Sequence, residues 1–416
     1  MRSNVKLSTK FSTTQNAHQV GLLVTLEGDA PVRRAPINVS LVLDRSGSMN
    51  GSAIEEAKAA ATRFASFLGA NDRVSVVTFD NRVETIFGPG PGGDPAATAA
   101  IGQIRARGCT NLSGGWLKGM QHVKGGMVDG TNRVILLTDG QANEGITDVD
   151  QLVGMAAGSA AERVSTSCIG FGAHFNERLL DPMAHAGGGN YWFVESEDQM
   201  TGIFESEIEG LVALSAQNVE MEVRLTHPRT AGVTFLHSVP VVANPDGSWR
   251  VTIGDLYATS PRPVGLIFHV EDVADLGQIE VARVKIEADV VTAEGIVHRT
   301  IAMPVVANLD GADHVEPVVE ETLLRFRNAE ARREAVRLAD RGEVEQAAAR
   351  LESAALACAP YMTSPAVAEE SRDMRAQARL LKERVYGAMD RKYDEARSMA
   401  MLEGKFGYID KMNRKR

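Results

Sequence analysis

The chain has 416 residues, 44% of them hydrophobic, and a formal net charge of -10 at pH 7. This length is typical of two or three domains. The negative charge and the lack of a basic patch with interleaved aromatic residues argue against nucleic-acid binding. The three cysteines have no metal-ligand spacing, so they support neither a disulfide framework nor a zinc site. A polar N-terminus and the lack of an apolar run of about 18 residues predict a cytoplasmic protein without a signal peptide or membrane span.

The first region, residues 1–35, shows the alternation of apolar and polar residues that is typical of strands, at 5–8 and again at 20–26. Residues 216–308 repeat this pattern in six segments, and the sequence at 244–248 predicts a hairpin turn between two of them. We predict that the two regions form one antiparallel β-sandwich. Residues 36–215 would then be a domain inserted into it.

Residues 36–215 alternate between short apolar strands and helices, which predicts a doubly wound, Rossmann-like α/β domain. The segment 83–87 is expected to add an antiparallel edge hairpin. The Gly- and Pro-rich stretch 88–95 is expected to be a surface loop, which either borders the site described below or only connects two elements. The predicted strands are 37–43, 74–79, 134–138, 165–169 and 191–194. The predicted helices are 52–68, 96–104, 113–124, 148–161, 177–184 and 198–214.

Residues 315–416 are predicted to form a helical C-terminal domain. Helices at 322–341 and 344–357 would form a hairpin, and one long helix would run from 366 to 402. Apolar residues lie at helical spacing along one face of that long helix: Met374, Ala378, Leu381, Val385 and Met389. This face can dock on the chain's own hairpin or form a homodimer through the C-terminal helix, and the pattern leaves both open.

The most informative motif is the Asp-x-Ser-x-Ser loop formed by Asp44, Ser46 and Ser48 at the end of the first apolar strand of the α/β region. Thr110 lies in a loop before a predicted helix, and Asp139 ends the strand at 134–138. Because the carboxyl ends of parallel strands meet at one edge of a sheet, we expect these five oxygen-bearing side chains to lie together. Oxygen ligands are those that Mg²⁺ and other hard cations prefer.

In type, order and approximate spacing, these segments resemble the metal-ion-dependent adhesion site of the von Willebrand factor type A family. The resemblance implies Ser46 and Ser48 as direct ligands, Thr110 as a direct or water-mediated ligand, and Asp44 and Asp139 as ligands mainly through water. The expected ion is Mg²⁺, with Mn²⁺ or Ca²⁺ as alternatives. Since the directly bound oxygens are neutral, the ion would stay electrophilic and bind an Asp or Glu of a partner protein. The chain then reads as a bacterial scaffold or recognition subunit.

Other functions are weaker. Helix capping would explain Asp44 but not the other residues, and no glycine-rich phosphate-binding motif occurs. A metal-dependent hydrolase or phosphotransferase with Asp44 as nucleophile resembles the haloacid dehalogenase-like family, but Ser46 stands where that mechanism needs an acid. A subunit of a chelatase-like, ATPase-driven complex is the other alternative, although no ATPase module precedes the motif.

Overall fold

The computed structural model describes residues 1–12, 17–29, 34–172, 175–196, 199–236, 241–258, 261–271, 277–292, 295–310, 312–402 and 404. Within them the chain forms three sheets and a group of C-terminal helices. The strands are β1 (Arg2–Ser12), β2 (Ala17–Glu27), β3 (Ile37–Asp44), β4 (Arg73–Phe79), β5 (Val83–Pro91), β6 (Thr131–Thr138), β7 (Ser165–Phe171), β8 (Gly188–Val194), β9 (Leu214–Leu225), β10 (Thr230–Phe235), β11 (Val241–Ala243), β12 (Trp249–Tyr257), β13 (Arg262–Glu271), β14 (Gly277–Val291) and β15 (Ile296–Leu309). The helices are α1 (Ser52–Phe67), α2 (Pro95–Gly102), α3 (Leu112–Gly125), α4 (Val149–Ala161), α5 (Glu177–Ala186), α6 (Met200–Val212), α7 (Pro317–Asp340), α8 (Val344–Ala357), α9 (Pro365–Lys382) and α10 (Ala388–Leu402).

A six-stranded sheet in the order β5-β4-β3-β6-β7-β8 forms the centre of the α/β region. Its strands are parallel except for β5, which runs antiparallel to β4 as the sequence predicts. Helices α1, α2 and α6 cover one face, and α3, α4 and α5 cover the other. Every residue of β3 and β6 is buried, which explains the apolar runs at 41–43 and 134–137. The predicted α/β domain with helices on both faces is therefore confirmed.

The Gly- and Pro-rich stretch 88–95, predicted as a loop, is a turn and loop only at residues 92–94. Strand β5 continues to Pro91, which pairs with Arg73 at the start of β4. Asp94 then accepts a hydrogen bond from the Ala96 backbone N–H and caps α2. Because Arg73 begins a strand whose other end faces the Asp44 loop, this stretch lies at the opposite edge of the sheet. The suggestion that it borders the site is wrong.

Two further sheets pack against each other, one with strand order β1-β2-β13-β10 and the other with order β11-β12-β9-β14-β15. Strand β2 pairs antiparallel with β13. Apolar side chains of both sheets share one core, to which β2 contributes Val20 and Leu22, β9 contributes Met221 and β12 contributes Val251. The N-terminal strands therefore pack with strands that follow the α/β region in sequence. The division into domains at 1–35, 36–215, 216–308 and 315–416 stays a prediction.

A buried ionic cluster joins the α/β region to the five-stranded sheet. Arg133 on β6 donates to Glu207 on α6 (2.9 Å), to the Tyr257 hydroxyl on β12 (3.1 Å) and to Asp255 on the same strand. Both Arg133 and Glu207 have fully buried side chains. Glu207 also accepts a hydrogen bond from the Trp192 indole (2.8 Å). Since buried charges are costly unless they are paired, this cluster holds the two regions in one arrangement.

The prediction of one long helix at 366–402 is wrong, because the helix is interrupted between the end of α9 and the start of α10. Arg384 adopts a left-handed conformation with φ of 57°. The N–H groups of Arg384 and Val385 donate back to the carbonyls of Leu381 and Leu380, both at 3.0 Å, which is the hydrogen-bond pattern of a Schellman helix end. Val385 consequently leaves the apolar face and is 59% exposed. Met374 and Leu381 stay buried against the α8 side of the helical region.

Helix α10 returns to the α/β region and does not extend away from it. Tyr393 and Ala396 are buried in the same core as Phe175 and Leu179. The Lys392 ammonium lies 3.8 Å from the Phe175 ring centroid and donates to the Phe175 carbonyl at 2.7 Å. Helix α10 thus completes one face of the α/β domain. In the described part of the chain, no helix is long and apolar enough to cross a bilayer.

Candidate metal centre

The two central strands bring the candidate carboxylates to one edge. Strands β3 and β6 pair in parallel, with Leu43 beside Leu137, so Asp44 lies next to Thr138 and Asp139 follows directly. The Thr138 hydroxyl donates to Asp44 Oδ2 at 2.5 Å. Asp44 is fully buried and Asp139 is 8% exposed. The sheet register alone therefore places both carboxylates at the carboxyl ends of adjacent strands.

The Asp-x-Ser-x-Ser loop folds over these carboxylates. The backbone N–H of Ser46 donates to Asp44 Oδ1 at 2.7 Å, which turns the chain back toward the strand end. The Ser46 and Ser48 hydroxyl oxygens are 3.0 Å apart, and the Ser48 hydroxyl donates to Asp139 Oδ1 at 2.7 Å. Ser46 is buried and Ser48 is exposed, so the cluster opens to solvent on the Ser48 side.

Thr110 reaches the same place from the loop before α3. A β carbon built on Gly140 would lie 3.2 Å from Thr110 Oγ1 and 3.8 Å from Asp44 Oδ2, so both oxygens line the small space over that glycine. The Thr110 carbonyl accepts from the backbone N–H groups of Asn143 and Glu144, each at 3.2 Å, which ties this loop to the one after Asp139. All five residues singled out in the sequence therefore converge. Whether they bind a metal stays a prediction.

The electrostatics of Asp44 are dominated by its burial. Burial, and to a smaller extent the neighbouring Asp139 charge, raise the pKa of Asp44 from 3.8 to about 6, although the hydrogen bonds from Thr138 and Ser46 oppose this. A carboxylate that has left water without a cationic partner is costly to ionise. A divalent cation at this edge would remove that cost.

Four charged residues that the sequence reading missed hold the loops in place, and we call them the arginine clamp: Arg45, Asp80, Glu84 and Arg107. Asp80 Oδ2 accepts from Arg45 Nε at 3.0 Å and from Arg107 Nε at 2.8 Å. The same two guanidinium groups donate to Glu84 at 2.9 and 3.0 Å. Burial alone would raise the pKa of Asp80, but the Arg107 hydrogen bond and the charges of both arginines bring it below its ordinary value.

Backbone hydrogen bonds extend this clamp to the loops of the cluster. The Gly47 N–H donates to the Gly108 carbonyl at 3.0 Å, and the Arg107 N–H donates to the Arg45 carbonyl at 2.7 Å. The Asn111 N–H donates to the Asp80 carbonyl at 2.8 Å. One signal could have revealed Asp80, since it directly follows an apolar strand as Asp44 does.

Other candidate residues lie outside the cluster. His122 on α3 hydrogen-bonds to Thr85 at 2.8 Å. Cys109, the exposed neighbour of Thr110, and the buried Cys168 and Cys358 are free thiols. Among the described residues, no group of three or more His, Cys, Asp and Glu side chains could hold a metal ion. The candidate centre is therefore built mainly from hydroxyl groups.

Fold and cluster together define an α/β domain with an oxygen-rich site at the carboxyl edge of its sheet. The model of the von Willebrand factor type A domain family matches residues 38–206, and the chain carries such a domain.

Similar proteins include an uncharacterized protein of Synechocystis sp. that is 27% identical over 65% of this chain and 66% of its own length. The inter-alpha-trypsin inhibitor heavy chain H1 of Sus scrofa is 29% identical over 40% of this chain and 20% of its own length. The chain thus spans just under two thirds of the first of these curated relatives and a fifth of the second.

Two solved structures share the fold over nearly the whole chain. A von Willebrand factor type A protein from Catenulispora acidiphila has a TM-score of 0.64 at 18% identity, covering 91% of this chain and 89% of that one. The ArnB paralog VWA2 from Sulfolobus acidocaldarius has a TM-score of 0.60 at 16% identity, covering 96% and 97%. At these identities the likeness shows the fold alone. Because the two structures cover 91% and 96% of this chain, the shared fold extends to the additional sheets and the C-terminal helices.

Proposed function

We propose that this chain is a metal-dependent protein-binding module in which one divalent cation links the domain to an Asp or Glu of a partner. The observation that carries the proposal is the convergence of the Ser46, Ser48 and Thr110 hydroxyls on two buried carboxylates. Hard oxygen donors fit Mg²⁺, and Mn²⁺ or Ca²⁺ fit the same donor chemistry. Ser46, Ser48 and Thr110 would hold the ion, and Asp44 and Asp139 would balance its charge.

The distribution of charge explains why such a site would bind a partner. Hydroxyl ligands are neutral, so they leave the ion its positive charge at the open coordination position. The carboxylates of Asp44 and Asp139 balance part of that charge without binding the ion directly, and hydrogen bonds from Thr138 and Ser46 hold Asp44 in place. The exposed side of the cluster, at Ser48, is where another carboxylate can approach. A charge-assisted contact of this kind is strong and directional. We propose no chemical step after binding, and therefore a scaffold or recognition role.

We also propose that the metal-binding domain is an insert in a β-sandwich. Support comes from the pairing of β2 with β13 and from the core that the two outer sheets share. The buried Arg133–Glu207 pair would then fix the metal-binding domain on its sandwich. A homodimer through the C-terminal helix remains a further proposal, but the break at Arg384 removes the continuous face that suggested it.

Calorimetry on metal-stripped protein tests the metal site. Wild type should bind one Mg²⁺, and Ser48→Ala should bind it less tightly without loss of folding, because Ser48 is exposed. Failure of the wild type to bind any divalent ion at millimolar concentration would contradict the site.

An affinity pull-down in Mg²⁺ and in EDTA tests the function. Partner capture should need the metal and should be lost in Asp139→Ala. Capture that is equal in EDTA would place the function on another surface. A screen of phosphate esters with and without Mg²⁺ separates this role from a hydrolase, since metal-dependent turnover lost in Asp44→Asn would assign the chain to the enzymes.

A further inference from the structure

The surface on one side of the candidate metal centre has an excess of positive charge. It is formed by the turn at 80–82 between β4 and β5, which follows the carboxyl end of β4, and by the loop that carries Thr110. A β carbon on Gly108 would lie 2.5 Å from Asn81 Oδ1, so the turn and the loop are in direct contact. These segments, with the adjacent strand and loop, carry four arginines and two carboxylates. The arginines are Arg45, Arg82, Arg105 and Arg107, and the carboxylates are Asp80 and Glu84. The local excess is two positive charges on a chain whose net charge is -10.

These arginines differ in what they already contact. Arg45 is buried, and it is paired with Asp80 and Glu84. Arg107 makes the same two pairs, yet 54% of its side chain is exposed to solvent. Arg105 is exposed and donates to backbone carbonyls at the end of α2. Arg82 is exposed, and its backbone N–H donates to Asp80 Oδ1 at 2.6 Å. Part of this positive charge is therefore accessible to a ligand.

The opposite side of the centre has the other sign. Strand β6 flanks β3 on the side away from β4, and the loop after Asp139 at its carboxyl end carries Glu144 and Asp148. A negatively charged ligand anchored on the metal would be repelled on that side and attracted toward the arginines. The site is thus electrostatically polarised across the metal position.

We infer that the partner presents an acidic segment and not a single carboxylate. This inference rests on the proposed function. One Asp or Glu would bind the metal, and a second carboxylate would lie over Arg82, Arg105 and Arg107. Arg107 lies three residues before Thr110, so their backbones are at most about 11 Å apart. An extended ligand rises about 3.3 Å per residue, so the second acid falls roughly two to four residues from the first.

Three synthetic peptides test the inference. Each is fluorine-labelled, has blocked ends and consists of Gly and Ser apart from its aspartates. One carries a single aspartate, and the other two carry a second aspartate three residues before or after it. Binding is followed by fluorine NMR, which reads weak affinities, in saturating Mg²⁺ and in EDTA. One of the two-aspartate peptides should bind about two- to fivefold more tightly than the single-aspartate peptide, as expected for exposed charge pairs. The advantage should disappear at high salt.

The variant Arg82→Gln/Arg105→Gln should reduce this advantage, since only Arg107 of the three arginines remains. It should leave Mg²⁺-dependent binding of the single-aspartate peptide unchanged, since neither changed residue belongs to the arginine clamp. Arg299→Gln/Arg372→Gln is the matched control, because it removes the same charge at exposed positions on β15 and α9. Equal affinity of all three peptides in Mg²⁺ would overturn the inference and leave the proposed function intact. An advantage that persists in EDTA, or that is undiminished in the arginine variant, would also overturn it. If no peptide binds in Mg²⁺, the proposed function and the inference fall together.

Discussion

Replacing Asp44 by asparagine should stabilise the metal-free protein while removing its response to Mg²⁺. In the folded protein, burial raises the pKa of Asp44 from 3.8 to about 6. Since each unit of pKa shift corresponds to about 1.4 kcal/mol, keeping Asp44 ionised at neutral pH costs about 3 kcal/mol of stability. Asparagine keeps the shape without the charge. It loses part of the hydrogen bonding with Thr138 and Ser46, which costs about 1 kcal/mol. The expected net gain at pH 7.5 is about 2 kcal/mol.

The sign of the pH dependence follows from the raised pKa. Between pH 4 and 6 the folded protein holds a proton on Asp44 that the unfolded chain has released, so the contribution of Asp44 to the stability falls as pH rises through this window. Above about pH 6 the full cost is present, and below the unfolded pKa of 3.8 it is absent. The difference between variant and wild type should therefore change by about 3 kcal/mol from pH 4 to pH 7.5.

Urea denaturation in EDTA across this pH range measures the difference, and Asp150→Asn, at an exposed position in the first turn of α4, is the matched control. Saturating Mg²⁺ should stabilise the wild type by about 2.7 kcal/mol at a hundredfold excess over its dissociation constant, and should not stabilise Asp44→Asn. A variant that is less stable than the wild type at pH 7.5 without metal would refute the reasoning. So would a difference that does not depend on pH.

Three further predictions concern packing and metal choice. Tyr393→Ala should lower the stability of the full chain by about 3 kcal/mol in urea denaturation, because a buried aromatic ring leaves the core shared by α10 and the α/β domain. A change under about 1 kcal/mol would mean that α10 is only loosely docked. Glu207→Gln should cost about 3 kcal/mol, since it leaves the buried Arg133 short of a charge partner, and its Mg²⁺ affinity by calorimetry should equal that of the wild type because the pair lies away from the carboxyl edge. Partner capture should be weaker in Ca²⁺ than in Mg²⁺, because Ca²⁺ takes longer bonds and a looser geometry, and stronger capture in Ca²⁺ would contradict the assignment of Mg²⁺.

Local pattern was sufficient for the α/β domain and for the candidate site. Strands β3 and β6 carry apolar runs at 41–43 and 134–137 because both of their faces are covered, so they are recognisable without any partner. The five residues of the cluster sit at strand ends and in adjacent loops, and parallel pairing necessarily brings such positions to one edge. This is why Asp44, Ser46, Ser48, Thr110 and Asp139 could be named in advance.

Helix breaks and strand extensions were harder to predict because they depend on backbone hydrogen bonds that weak local signals do not reveal. Arg384 takes the left-handed conformation that glycine usually provides at a helix end, so the run of helix-forming residues around it predicted one continuous helix. Pro91 lies in a strand because β4 pairs with it, although its local sequence is typical of a loop.

The sequence by itself determined the order of strands and helices in the α/β domain and the identity of the oxygen donors, because both are written in the chain near the residues concerned. Only the tertiary structure decided that the arginine clamp holds the loops of the cluster and that Arg133 and Glu207 meet in the interior. It also decided that Tyr393 packs in the same core as Leu179 and Phe193, which lie far earlier in the sequence. These contacts join residues that are distant in the chain. Their energies come from burial and charge pairing, which exist only once the sheets and helices have assembled.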